Sequence, residues 1–307
     1  MRSMKLDGIH HITAITASAP ANLDFYVSIM GLRFVKKTVN FDVPDAYHLY
    51  FADEQGTPGS VLTFFEYPGM ARGHAGAGMI HRLAWRVRDE ASLDYWTQRL
   101  NGTGTDVERG DAWIAFDDPE GLGLSLVVDH SSDPPLTAVS DVPDEHRVLG
   151  FSGVRAYSRE PDASEELLLK ALGFESRGED MYFLQGPDRS AGYRLDPAPE
   201  TGGFQGAGTV HHIAWACDPS DQPAWREQVM DAGLRVTEII DRKYFRSIYF
   251  NEPSGVLFEI ATKGPGFTVD EDIEHLGESL SLPEWHEDRR ASLEKRLTPI
   301  TNPRSKQ

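Results

Sequence analysis

Two distant stretches of this chain are nearly the same. Gly73 to Trp85 reads GHAGAGMIHRLAW and Gly203 to Trp215 reads GFQGAGTVHHIAW. Gly76, Ala77, Gly78, His81, Ala84 and Trp85 therefore recur, at constant offset, as Gly206, Ala207, Gly208, His211, Ala214 and Trp215. A repeat constrains the fold more than any local propensity, because every copy must form the same unit. A fainter version opens each half of the chain, as GIHHITAIT from Gly8 and GFSGVRAYS from Gly150. Four strand-like starts thus divide the chain into four modules.

A helical pattern follows each start, at Ala21 to Met30, Glu90 to Leu100, Asp162 to Leu172 and Gln222 to Ala232. Gly31, Gly102, Gly173 and Gly233 stand where a helix-ending residue in the left-handed region is expected. Three short runs of β-branched and aromatic residues come next; in the last module they are Leu234 to Ile240, Tyr244 to Phe250 and Val256 to Ala261. Each module reads β-α-β-β-β. The Pro-, Ser- and Asp-rich segment Asp129 to His146 reads as a linker. This predicts an N-terminal half over 1–137 with modules one and two, a C-terminal half over 147–265 with modules three and four, and a charged, helical tail over 266–307 packed outside or at an oligomer contact.

A formal charge of -18 argues against nucleic acid as a partner, since phosphate contact needs a basic stripe. Cys217 is the only cysteine, which excludes an intrachain disulfide and a thiolate metal cluster and fits a reducing compartment. Met1 to Asp7 lacks an apolar signal core and no run approaches the ~20 apolar residues that span a bilayer. The expectation is a cytoplasmic enzyme with no membrane partner; assembly into a homo-oligomer is left open.

His10-His11 and His211-His212 occupy the first strands of modules one and four. Side chains alternate across a strand, so only one imidazole of each pair is expected to face a given side. An isolated pair would be unremarkable on a half-exposed strand; recurrence in equivalent positions lends it weight. Glu259 lies among Val256, Leu257, Phe258 and Ile260, apolar neighbours on both faces, where a lone carboxylate is costly unless paired or bound to a cation. Two imidazoles and a carboxylate form the facial triad of Fe(II) oxygenases, although Zn(II) accepts similar ligands.

The segments GIHHITAIT, YHLYFADEQGTPGSVLTFF, TVHHIAWA and YFRSIYFNEPSGVLFEIAT resemble the vicinal oxygen chelate superfamily (glyoxalase, bleomycin resistance, extradiol dioxygenase), and within it the ring-cleaving dioxygenases that act on hydroquinones. The resemblance implies an α+β fold of four βαβββ modules in two tandem halves, with curved mixed sheets, or half-barrels, enclosing a metal site and helices outside. It implies that His11, His212 and Glu259 bind Fe(II), or less often Mn(II). His10, His211, Thr13 and Tyr249 would line the substrate site, with Arg242 or Arg246 as the family's arginine. The first histidines would act as general acid/base groups or orient the ligands, and Tyr249 would orient the substrate. The implied reaction is extradiol-type opening of a dihydroxylated aromatic ring, hydroquinone or catechol, by dioxygen. A glyoxalase-type isomerase or lyase is the competing reading. Aligning the closing strands by their glycines places Thr63, not Glu66, opposite Glu259, so the fourth ligand usual in such isomerases is missing, which favours an oxygen-using site. In modules two and three the ligand positions become Arg82, Gly153 and Ser125, which bind no metal.

Overall fold

The computed structural model describes residues 4–306, so the start of Met1–Asp7 and the last residue of the tail lie outside it. Module one comprises β1 (Ile9–Thr16), α1 (Ala19–Leu23, prolonged by a wider-wound turn over Asp24–Ile29), β2 (Arg33–Val39), β3 (Tyr47–Ala52) and β4 (Val61–Glu66). Module two repeats it as β5 (Met79–Val87), α2 (Glu90–Asn101), β6 (Glu108–Arg109), β7 (Trp113–Asp117) and β8 (Gly123–Val128). Module three runs β9 (Phe151–Ser158), α3 (Asp162–Glu166, prolonged over Leu167–Ala171), β10 (Glu175–Ser176), β11 (Met181–Gln185) and β12 (Ser190–Pro197). Module four runs β13 (Val210–Cys217), α4 (Gln222–Asp231), β14 (Ile240–Asp241), β15 (Arg246–Asn251) and β16 (Leu257–Thr262).

Local chemistry explains these boundaries. Ser18 accepts the Ala21 amide and Asp89 the Ser92 amide, capping α1 and α2. Gly31, Gly173 and Gly233 end their helices at φ 72°, 76° and 86°, as expected. Gly102 does not: it remains right-handed at φ -63°, and the reversal falls to Gly104 at φ 80°, after Thr103 Oγ1 has donated to the Leu100 carbonyl. The strand expected over Leu234 to Ile240 shrinks to Ile240–Asp241. Upstream, the Thr237 amide still donates to the Tyr249 carbonyl, but the Thr237 carbonyl is taken by Arg226 Nε and Thr237 Oγ1 by the Tyr249 amide, so side-chain bonds replace the rest of a ladder there.

The sixteen strands form two sheets, and neither follows one half of the sequence. The first is ordered β14-β15-β16-β13-β1-β4-β3-β2 and joins module four to module one; the second is ordered β10-β11-β12-β9-β5-β8-β7-β6 and joins module three to module two. In each, the two first strands pair antiparallel at the centre, β1 with β13 and β5 with β9.

Strand alternation then sorts the first sheet into two faces. Ile12, Leu49, Phe51, Leu62, Phe64, Ile213, Ile248, Phe258 and Ile260 belong to the buried apolar core. The intervening residues, among them His11, Thr13, His48, Tyr50, Thr63, His212, Ser247, Tyr249 and Glu259, give the opposite face its polar character. The helices supply the outer layer: Leu93, Trp96 and Leu100 of α2 and Trp225 and Val229 of α4 are buried in the same core.

The tail covers the β2 edge. Leu280 forms a parallel bridge with Lys37, Ser281 N donates to the Lys37 carbonyl, and Asn302 Nδ2 donates to the carbonyls of Phe34 and Leu276. Covering an edge strand in this way removes a template for further pairing. Among the described residues of the tail, only Arg290–Arg296 is α-helical (α5), and the others form 3-10 turns and irregular chain. Among the described residues, no helix is long and apolar enough to cross a membrane.

Candidate metal centre

The two central strands of the first sheet each carry a β-bulge, and the bulged residues are His10 on β1 and His211 on β13. A bulge breaks strict alternation and re-aims a side chain. This corrects the expectation of one imidazole per face: both His211 and His212 line the same cavity. His10 goes the other way. It is buried against Phe245 (ring centroids 4.9 Å), with Nε2 3.0 Å from the Thr262 carbonyl and Nδ1 2.9 Å from His11 Nδ1.

These contacts assign the tautomers. A carbonyl can only accept, so His10 carries its proton on Nε2, and burial keeps the ring neutral, its pKa pushed down to about 3. Its Nδ1 must then accept from His11 Nδ1–H, which leaves a lone pair on His11 Nε2. His211 Nδ1 lies 2.8 Å from His212 Nδ1, and a proton on His212 Nδ1 donated to His211 would free His212 Nε2 in the same way. In both pairs the first histidine fixes the orientation of the second, as outer partners of metal ligands commonly do.

The freed lone pairs converge. His11 Nε2 and His212 Nε2 are 3.2 Å apart, and Glu259 Oε2 lies 3.3 Å from the former and 3.0 Å from the latter. An ion about 2.1 Å from each of three ligands at right angles would hold them about 3.0 Å apart, so the spacing matches one face of a metal coordination shell. Ser247 Oγ donates to Glu259 Oε1, whereas Oε2, though fully buried, accepts no well-directed hydrogen bond. A divalent cation would satisfy that orphaned oxygen. The donor set fits one.

Above the three atoms lies a cavity of about 380 Å³. Phe65, Phe245 and Leu257 supply its apolar surface, and His48, Tyr50, His211, Arg242 and Tyr249 its polar groups. Arg242 Nε donates to Tyr249 Oη at 3.2 Å, and Arg242 Nη1 reaches Asp42 at 3.0 Å across the cavity mouth. Arg246 donates instead to the Pro219 carbonyl outside the cavity, so the arginine beside the site is Arg242. Thr13 is wholly buried and pairs with Thr63, Oγ1 to Oγ1 at 2.8 Å.

His48 and Tyr50 were not singled out by sequence. His48 Nε2 lies 2.8 Å from Thr63 Oγ1, and Tyr50 Oη lies 2.8 Å from His48 Nδ1. The register exposes a signal the repeat contained: Tyr50 pairs with Thr63 on β3 and β4 as Tyr249 pairs with Glu259 on β15 and β16. Thr63 is thus the counterpart of Glu259, and His48 that of Ser247.

The comparisons with known proteins agree with this geometry. The family model of the Glyoxalase/Bleomycin resistance protein/Dioxygenase superfamily matches residues 8–126 and again 80–260. The chain belongs to this superfamily. Among its relatives are MhqO of Bacillus subtilis (strain 168), named as a ring-cleaving dioxygenase, at 41% identity over 96% of this chain and 97% of its own length, and a chlorohydroquinone/hydroquinone 1,2-dioxygenase of Sphingobium indicum at 30% identity over 91% and 92%. A crystal structure from Bacillus subtilis, described as a dioxygenase, superposes with a TM-score of 0.91 at 38% identity, covering 97% of this chain and 98% of that one. Glyoxalase I from Zea mays shares the fold at a TM-score of 0.59 and 13% identity, covering 84% and 92%. Within the superfamily the chain falls among the ring-cleaving dioxygenases.

Proposed function

We propose that the protein is an Fe(II)-dependent, extradiol-type dioxygenase, with Mn(II) the less frequent metal, that opens a hydroquinone- or catechol-type ring. One observation carries this reading: three ligand atoms converge on the floor of a ring-sized cavity while Thr63, its hydroxyl engaged by Thr13 and His48, stands where a fourth ligand would be. Three protein ligands on one face leave positions open, as in non-haem Fe(II) oxygenases. A glyoxalase-type isomerase would want that fourth position filled.

The ion held by His11, His212 and Glu259 would supply the Lewis acidity that ionises a ring hydroxyl and the redox activity that lets dioxygen react with the ring. The remaining work falls to side chains. Phe65, Phe245 and Leu257 flank the flat ring and exclude water. Arg242 places a cation beside the cavity for an anionic ring and, by donating to Tyr249, turns the phenol proton towards substrate. His211 presents Nε2–H to the cavity and stabilises the oxygen on which negative charge develops. His10 acts at one remove, holding the tautomer of His11. The carbon–carbon bond beside a hydroxyl-bearing carbon breaks, both atoms of dioxygen enter the product, and that carbon becomes a carboxyl group.

The test is anaerobic loading with Fe(II), followed by hydroquinone or catechol in an oxygen electrode. Stoichiometric oxygen uptake with loss of the aromatic absorbance is expected. Absence of uptake with every dihydroxylated ring tried would overturn the reading.

A further inference from the structure

The second sheet repeats the register of the first, so each residue of the metal centre has a structural counterpart there. Thr13 pairs with Thr63 as Arg155 pairs with Arg194, and Ala214 pairs with Glu259 as Ala84 pairs with Ser125. The bulges recur too, at His81 on β5 and Ser152 on β9. Following the strands, Arg82 stands for His212, Gly153 for His11, Ser125 for Glu259 and Arg194 for Thr63. All four line one cavity of about 680 Å³.

The exchange inverts the charge preference of the site. Two imidazoles, a carboxylate and a threonine hydroxyl, which suit a cation, become two guanidiniums, a serine hydroxyl and a glycine, which suit an anion. A third guanidinium, Arg155, is held by both oxygens of Asp196 at 2.7 and 2.8 Å. Asp196 also takes His81 Nε2 at 2.8 Å and lies 3.3 Å from Arg194 Nε. Arg82 donates to the Leu124 carbonyl at 2.8 Å and has no carboxylate partner among the described residues. The cavity lining carries three guanidiniums, Arg82, Arg155 and Arg194, and one carboxylate, Glu108, while Asp196 pairs with Arg155 and Arg194 and Glu179 lies 3.8 Å from Arg194 Nη2. Arg82, with no carboxylate partner among the described residues, is the guanidinium this lining leaves to bind an anion.

The walls define the rest of the ligand. Trp113 is 37% exposed on β7, and Tyr157 stacks on His81 with ring centroids 3.9 Å apart. Flat aromatic and apolar walls around a few fixed cations are suited to a planar, unsaturated body bearing one negative group. We propose that this second cavity is a binding site for an unsaturated organic carboxylate, with Arg82 and Arg194 as its anchors. The inference does not depend on which reaction the metal centre performs.

Two probes separate the sources of such a ligand: benzoate, an aromatic acid, and sorbate, an open-chain dienoate; benzamide is the uncharged control. Each is titrated calorimetrically into the metal-loaded protein. The expected result is binding of one or both acids, none of benzamide, and at least about tenfold weaker binding in the Arg82→Gln/Arg194→Gln variant, with oxygen uptake on hydroquinone unchanged when no acid is added. Preference for benzoate or for sorbate assigns the source. Should the double variant not fold, Ser125→Glu, which leaves both arginines but places a carboxylate between them, is expected to abolish binding while circular dichroism is unchanged. No binding of either acid at about 10 mM, equal binding in wild type and variants, or equal binding of benzamide would each overturn the proposal.

Discussion

The two sheets share one register and one set of bulges, yet among the described residues only one of them gathers a set of side chains that could hold a metal ion. In the first, the central strands deliver His11 and His212 and the closing strand delivers Glu259, all turned to a common point. In the second, the same positions hold Gly153, Arg82 and Ser125. A shared register with shared bulges is therefore not enough to make the candidate metal centre. The side chains differ as well: Arg82, Gly153, Ser125 and Arg194 stand where the first sheet has His212, His11, Glu259 and Thr63, which turns a cation cradle into an arginine-lined cleft. Even the polar residues behind the ligands follow the exchange: His211 leaves its Nε2 to the cavity, whereas its counterpart His81 spends that nitrogen on Asp196.

The strongest way to break this comparison is to remove a ligand. Glu259→Gln or His212→Ala is expected to abolish metal retention on dialysis and to lower ring cleavage by more than about a thousandfold. Metal content measured with circular dichroism as a folding control decides it, and full metal retention by both variants would sink the ligand assignment.

Next comes the division of labour between the bulged histidines. His211→Ala is expected to lower kcat by about a hundredfold or more at unchanged metal content, the cost of losing one preorganised donor. His10→Ala should act mainly on metal affinity, since its ring reaches the Thr262 carbonyl and His11 instead of the cavity. Equal kcat losses at full metal occupancy in the two variants would contradict the tautomer assignment.

A smaller effect separates equivalent turns. Asp118 after β7 and Glu252 after β15 both accept amides of a Pro-x-Gly turn, and each meets a tyrosine, Tyr26 at 3.0 Å and Tyr193 at 3.4 Å. Burial pushes the Asp118 carboxyl up to about 6. The folded state then binds this proton more tightly than the unfolded chain, so the contribution is fully present below about pH 4 and is lost as pH rises through about 6. Asp118→Asn is expected to remove a slope on the order of 2 kcal/mol across that window, read by urea unfolding at pH 4 and pH 7. An unchanged slope would refute it.

The smallest expected change is none. Arg82→His/Gly153→His/Ser125→Glu copies the ligand set into the second sheet, yet metal stoichiometry should stay at one per chain. A Cβ on Gly153 would lie 2.3 Å from the Gly192 carbonyl oxygen, backbone that cannot swing aside. A second tightly held ion would show that the side chains alone limit the second site.

Much of this was legible in the sequence. The repeat exposed four modules, the helix-ending glycines placed three of the four helix ends, and the duplicated histidines with one buried glutamate named the residues that now converge. These are local signals or signals of sequence periodicity, and they survive folding unchanged. The unread parts depended on contacts between segments far apart in the chain. A β-bulge leaves no mark on residue type, so alternation predicted the wrong company for His211. His48 and Tyr50 gained meaning only once β3 was paired with β4, and Arg242 was separated from Arg246 only by the path of the chain before β15. The sequence by itself thus determined the repeated unit and the chemistry available to it, because composition and spacing are written along the chain. The pairing of module one with module four, and of two with three, was implied by the repeat; only the tertiary structure decided how it is made, through antiparallel contact and bulges of the first strands that bring three ligand atoms to one point and leave the arginines to the other sheet.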